Sequence, residues 1–264
     1  MKSDSRYLGA LMIAPFILFI FLGGFPLEVF TFILSVLGLY EFYKALKEKE
    51  FKPINLVGYI LLVLYYLIGH DLEALMYIVI LATFVLLMIP VVNLKYTFID
   101  VALTLFGFIY VGIFFSFIYL VNSKYGGNLY VWLIFIGSWM TDTTAYYAGK
   151  FFGKHKLCPE VSPKKTIEGS LGGLIGATLF CGLYGIFVKS YISDISLYHF
   201  FVIGALCGVF SQFGDLVASS IKRYVGIKDY SKLIPGHGGI LDRFDSILFS
   251  GIIVFYYLTF ILNI

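Results

Sequence analysis

The sequence predicts an all-α, polytopic integral membrane protein, on three observations: its composition, its long apolar runs and the placement of its charges. Of 264 residues, 60% are hydrophobic and only 13% charged, with a mean hydropathy of +0.91. Soluble domains carry roughly 45–50% apolar and about 25% charged residues, so this chain lacks the material for a water-facing shell. Its apolar positions form unbroken runs instead of amphipathic stripes, so the helices must face lipid as well as one another.

A hydrocarbon core of ~30 Å takes about 20 helical residues. Nine runs meet or approach that length: 7–22, 26–43, 55–69, 73–92, 98–121, 129–149, 170–188, 197–218 and 241–262. The first is expected to be a span and not a cleaved leader. No small-residue cleavage site follows it, only Gly23-Gly24-Phe25-Pro26, a tight turn between two spans. The third is short. With the N-terminus in the cytoplasm, the cytoplasmic segments collect Lys2 and Arg6, then Lys44, Lys47, Lys49 and Lys52, then Lys95. They also collect Lys150, Lys154, Lys156, Lys164 and Lys165, and finally Lys222, Arg223, Lys228, Lys232 and Arg243. Seventeen of the 19 basic residues thus fall inside, leaving Lys124 and Lys189, a strong positive-inside asymmetry. The expected location is the cell membrane, multi-pass, with an external C-terminus. Cys158, Cys181 and Cys207 have neither paired nor metal-ligand spacing, which argues against a disulfide framework. No internal repeat of the inverted-transporter kind is seen.

Two regions differ in kind. Residues 1–128, about five spans, are nearly pure hydrophobe. Their acids Glu28, Glu41, Asp71, Glu73 and Asp100 lie close to span ends and are taken as interfacial charges. Residues 129–264, about four spans with cytoplasmic loops, hold the chemistry. Asp142 sits within the sixth span in TDTTAYYAG, and Asp215 near the cytoplasmic end of the eighth. A carboxylate in a span costs at least ~2.5–3.5 kcal/mol, so it persists where a cavity, partner or ion compensates. Gln212, Asp215, Ser219 and Lys222 follow helical spacing and predict one polar face running toward the cytoplasm. Pro235-Gly236-His237-Gly238-Gly239 is a segment whose backbone can approach an anion closely, ahead of a helix start that favours phosphate. Asp242 and Asp245 share one face of that helix. Opposite an intramembrane aspartate, they make a magnesium candidate, since this ion takes few protein oxygens and completes its shell with water and phosphate. Lys164, Lys165 and Thr166 stand between Pro163 and Gly169, which frame an expected turn before the seventh helix, and suit phosphate contacts. Lys150, Lys154 and Lys156 are taken as membrane anchors.

The run SSIKRYVGIKDYSKLIPGHGGILDRFD, from Ser219 to Asp245, resembles the signature of the phosphatidate cytidylyltransferase (CDP-diacylglycerol synthase) family. Ser219, Lys222, Arg223, Lys228, Asp229, Pro235, His237, Gly238, Gly239, Asp242, Arg243 and Asp245 all fall on it. Asp142 to Tyr146 and Ser162 to Gly169 look like the family's other hallmarks, so the resemblance covers roughly residues 138–250. It implies an all-helical membrane homodimer that joins CTP to phosphatidate, giving CDP-diacylglycerol and pyrophosphate, with the site on the cytoplasmic side. It implies Mg2+, with a second cation allowed. Asp215 and Asp242 are the first expected metal ligands, then Asp245 and Asp142. Catalysis is expected of Asp215, Asp242, Asp245, Lys222 and Arg243. Substrate binding is expected of Lys164, Lys165, Thr166, Ser219, Arg223, Lys228 and the backbone of Gly236, His237, Gly238 and Gly239. His237 is expected to donate hydrogen bonds to phosphate and not to act as a general base, because a phosphate monoester is already largely a dianion near neutral pH. No nucleic-acid partner is expected. The alternatives are a CTP-dependent polyprenol kinase, which would release CDP, and a cation-coupled transporter, which would bind its ion nearer mid-membrane.

Overall fold

Each long apolar run of the described chain winds into a helix, because in lipid a backbone N–H or C=O is satisfied within its own helix. The computed structural model describes residues 16–192, 195–234, 236 and 238–264, Leu72 by its backbone alone. Residues 16–22 are helical; the rest of the expected first span, with Lys2 and Arg6, lies outside the described residues, as do Pro235 and His237.

Gly23, at φ 60°, turns the chain into α1 (Gly24–Lys47). The last turn of α1 carries Lys44 and Lys47, where the helix dipole favours cations. α2 (Asn55–Leu67) has 13 residues, about 20 Å of helix at 1.5 Å per residue, shorter than the expected 55–69 and than a bilayer core. α3 (Leu72–Val92) is started by Asp71, whose carboxylate accepts from the N–H groups of Glu73 and Ala74. α4 (Phe98–Asn122) opens with a capping box between Thr97 and Asp100 and is π-helical over Phe108–Ile113. α5 (Gly127–Phe152), α6 (Ile167–Val188), α7 (Tyr198–Val225) and α8 (Leu241–Ile261) make up the second half.

Among the described residues six helices, α1, α3, α4, α6, α7 and α8, are long and apolar enough to cross a membrane. α5 has the length, at 26 residues, but Ser138, Thr141, Asp142, Thr143 and Thr144 dilute its hydrophobicity. Among the described residues one two-stranded sheet departs from the all-α expectation. β1 (Lys156–Cys158) and β2 (Ser162–Thr166) pair as an antiparallel hairpin between α5 and α6. The expected turn framed by Pro163 and Gly169 is therefore the second strand followed by the first turn of α6, and Thr166 ends the strand by capping that helix. Its hydroxyl accepts from Gly169 N at 3.1 Å.

In the second half, α5 and α6 pack most closely, α7 lies against both, and α8 against α7 and α5. The α5–α6 approach depends on small residues: a Cβ at Gly172 would meet Ala148, and one at Gly176 would meet Thr144. Phe16 stands edge-on to Phe135 of α5 and Phe244 of α8, and Phe115 of α4 tilts against Phe244, so these rings tie both halves into one core. α3 packs mainly against α2 and α4 and, apart from Leu86, has no fully buried residue among those whose side chains are described. The C-terminal ends of α1, α5 and α7 and the N-terminal ends of α6 and α8 converge at one end of the bundle.

Candidate active site

At that end a cleft of ≈ 450 Å³ opens between α5, the hairpin, α6 and α7, lined among others by Asp142, Tyr146, Lys164, Lys165, Ser170, Gln212 and Asp215. Asp142 is open to the cleft. Its neighbours Thr141 and Thr144 bond back to the carbonyls of Gly137 and Met140, each at 2.6 Å, so their hydroxyls serve the helix and do not cap the acid. Glu168, in the first turn of α6, holds the hairpin's approach. Its carboxylate accepts from Lys154 N at 3.1 Å and His155 N at 3.2 Å and meets His155 Nδ1 at 2.7 Å. The hairpin in turn carries Lys164, exposed at the cleft, and Lys165, whose ammonium forms an ion pair with Asp215.

On α7 the expected polar stripe divides. Gln212 Nε2 donates to Ser170 O at 3.1 Å and Gly208 O at 2.7 Å, tying α7 to α6, while Ser219 donates to Asp215 at 3.3 Å. One turn further, Lys222 turns away from the cleft and is buried against Asp242 at 2.6 Å. Its ammonium also lies 5.4 Å from the centre of the Tyr230 ring. Burial pushes the Tyr230 phenol far above its ordinary pKa, so it is a neutral wall of this ion pair. Arg223 is exposed and donates to Ile227 O at 3.2 Å, closing the end of α7; Lys228 and Asp229 are exposed beyond it.

The glycine loop is wrapped around carboxylates. Ile234 N donates to Gly238 O at 2.8 Å, and Gly236 and Gly238 have φ of 76° and 84°, a backbone region that glycine enters without strain. Asp242 accepts from Tyr230 N at 2.8 Å and Gly239 N at 2.9 Å as well as from Lys222, so both its oxygens are engaged. The first N–H groups of α8, where a phosphate was expected, are filled instead by Glu41 of α1. Its carboxylate accepts from Ile240 N at 3.0 Å, Leu241 N at 2.9 Å and the Ser231 hydroxyl at 2.5 Å. Glu41 is therefore no interfacial charge but a buried acid.

Asp245, one turn into α8, is buried and accepts from Ser246 N at 2.8 Å. It lies within electrostatic reach of Asp215 and Asp142, and Arg243, exposed, within reach of Asp142. Tyr110, in the π-helical stretch of α4, is buried and lies within electrostatic reach of Asp215 and Asp245. Nothing in the sequence singles out Tyr110 or Glu41, because their places depend on packing between distant segments. Among the described residues no three His, Cys, Asp or Glu side chains form a closed metal cage. The donor set still suits a hard cation: Asp142 and Asp215 line an open cleft, and few carboxylates plus room for water and phosphate oxygen is the magnesium pattern. Asp242, engaged by one ammonium and two amides, is placed as a loop anchor.

A family model for the cytidylyltransferase family matches residues 5–261. The phosphatidate cytidylyltransferase of Staphylococcus saprophyticus is 37% identical over 234 residues, 86% of this chain and 87% of the relative. That of Staphylococcus aureus is 38% identical over the same shares. That of Staphylococcus haemolyticus is 36% identical over 244 residues, 89% of this chain and 90% of the relative. With similarity running through both halves of the bundle and through every element that borders the cleft, the chain belongs to the cytidylyltransferase family.

Proposed function

We propose that this chain transfers the cytidylyl group of CTP to phosphatidate, giving CDP-diacylglycerol and pyrophosphate. The observation that carries the reading is the cleft itself, where Lys164 and Lys165 face Asp142 and Asp215 at the end of a lipid-embedded bundle. A phosphate oxygen of phosphatidate attacks the α-phosphorus of CTP. The bond from that phosphorus to the bridging oxygen of the β-phosphate breaks, and pyrophosphate leaves with the electron pair. Two anions must be brought together, so the chemistry needs positive charge on the reacting and leaving phosphates. Lys164 and Lys165 hold the triphosphate, and Arg243 is near enough to the Asp142 side to assist. Asp215, with Asp142 and Asp245, would hold Mg2+, and a second cation beside it; bound there, they supply charge neutralisation at the phosphates. Because phosphatidate is already largely dianionic, no general base is required, and His237 serves as a hydrogen-bond donor.

The same reading includes nine spans, a cytoplasmic N-terminus, a cleft facing the cytoplasm where CTP is found, and a homodimer in the cell membrane. Seventeen of 19 basic residues falling on one side support the orientation. Purified protein given CTP, phosphatidate and magnesium should yield CDP-diacylglycerol and pyrophosphate, and EDTA should stop both. Release of CDP with a phosphorylated polyprenol would identify a kinase instead.

A further inference from the structure

Glu41 lies in the half of the chain that holds none of the signature residues, yet it is 1% exposed. Among the described residues no lysine, arginine or histidine pairs with it. Its charge is balanced by the Ser231 hydroxyl and by Ile240 N and Leu241 N at the positive end of α8. A Cβ at Gly239 would stand 2.6 Å from this carboxylate, so only glycine lets the loop close on it. Asp242, in the next residues, closes on the same loop from the other side through Tyr230 N and Gly239 N. Five loop and helix-start donors are thus held by two acids, one of them nearly 200 residues away in sequence.

We infer that Glu41 is a positioning residue: it clamps the glycine loop to α1 and thereby sets Asp242 of α8 against Lys222 of α7 and keeps Asp245 of α8 on the side of Asp215. A buried carboxylate that accepts the first amides of a helix fixes both the start and the direction of that helix, since each bond is lost if α8 slides or rotates. The hairpin that carries Lys164 and Lys165 is attached through Glu168 and Thr166 and receives no bond from Glu41. Loosening the clamp should therefore disturb the reacting geometry and leave CTP capture in place.

This rests on the placement of the chemistry on α7 and α8, and amide exchange tests the clamp independently of it. In full-length protein in detergent, Glu41→Ala should speed exchange of the segment 231–241 and leave the segment 156–166 as in the wild type. Its kcat should fall about 10- to 100-fold, with the CTP KM changed by less than about threefold. Glu41→Gln, which can still accept one amide, should recover part of both effects. Ser231→Ala, which removes one of the three bonds, should move both in the same direction by less. Unchanged exchange at 231–241 in all three variants would overturn the clamp, as would equal loosening of 156–166 or a CTP KM that rises as far as kcat falls. A loosened loop with wild-type kcat would keep the clamp and overturn the placement of the chemistry on α8. Should Glu41→Ala fail to fold, Glu41→Gln and Ser231→Ala decide the matter.

Discussion

The two halves of the bundle both bury polar groups, but they do so in different states of charge. In the first half the buried polar groups are mostly neutral and bonded in pairs. Tyr43 donates to Thr104 O at 2.7 Å, Tyr65 meets Ser116 at 2.8 Å, and Ser35 donates to Gly112 O at 3.2 Å. In the second half the groups are ionic and meet between elements: Lys165 with Asp215, and Lys222 with Asp242. Asp142 and Asp245 add two more carboxyl groups near Asp215, with no ion pair of their own among the described residues. A neutral hydroxyl in lipid needs one acceptor, whereas a carboxylate needs countercharge or several converging donors. Polarity inside a membrane bundle is thus a poor marker of a site, and clustered carboxyls are a better one. Of the two buried acids among the described residues of the first half, Asp100 is held by Lys52 N and Thr97 N nearby, whereas Glu41 bonds to the second half.

The contrast can be broken most sharply at Asp215. Asp215→Asn keeps the shape and removes the charge, and should lower kcat by about 100- to 1,000-fold or more without unfolding the protein. Near-normal turnover at saturating magnesium would move the site elsewhere. Asp242→Asn should act differently, because it strands the buried Lys222. Breaking a buried pair costs about 3–5 kcal/mol, so thermal stability in detergent should fall together with activity. Full stability with no activity would show that Asp242 serves substrate or metal instead of the loop. Next in size, Lys164→Gln with Lys165→Gln should change the CTP or phosphatidate KM or kcat by about tenfold or more, whereas Lys44→Gln with Lys47→Gln should change neither. Equal effects from the two pairs would reduce the cleft to general basicity. The smallest effect is expected at Asp71→Ala, which removes the cap of α3. Stability should drop by about 1 kcal/mol with the kinetic constants unchanged.

Much of the architecture was legible because lipid leaves the backbone little choice. An apolar run becomes a helix, so the runs at 26–43, 73–92 and 98–121 lie within α1, α3 and α4. The same holds for Asp142 and Asp215, conspicuous because a carboxylate does not belong in hydrocarbon. The hairpin was not legible. Ser162-Pro163-Lys164-Lys165 has poor strand propensity, and its pairing with Lys156–Cys158 is held by Glu168 gripping the backbone before it. The partners of the glycine loop were hidden for a different reason. Gly238 and Gly239 announce a close approach, but only the fold shows that Asp242 and Glu41 are the side chains that approach. Glu41, near the end of an apolar run, carries the same local pattern as an ordinary interfacial acid.

α7 is 28 residues long, about 42 Å of helix, against a hydrocarbon thickness of ~30 Å. Counted from Tyr198, the surplus of about two turns carries Ser219, Lys222 and Arg223, and a span so placed would bring the cleft mouth to the level of the phospholipid headgroups. A phosphatidate molecule would then meet the catalytic groups at its own equilibrium depth, its acyl chains still among their neighbours. Catalysis at this height works on the membrane surface as a two-dimensional reservoir, so turnover should follow the mole fraction of phosphatidate in the bilayer more closely than its bulk concentration.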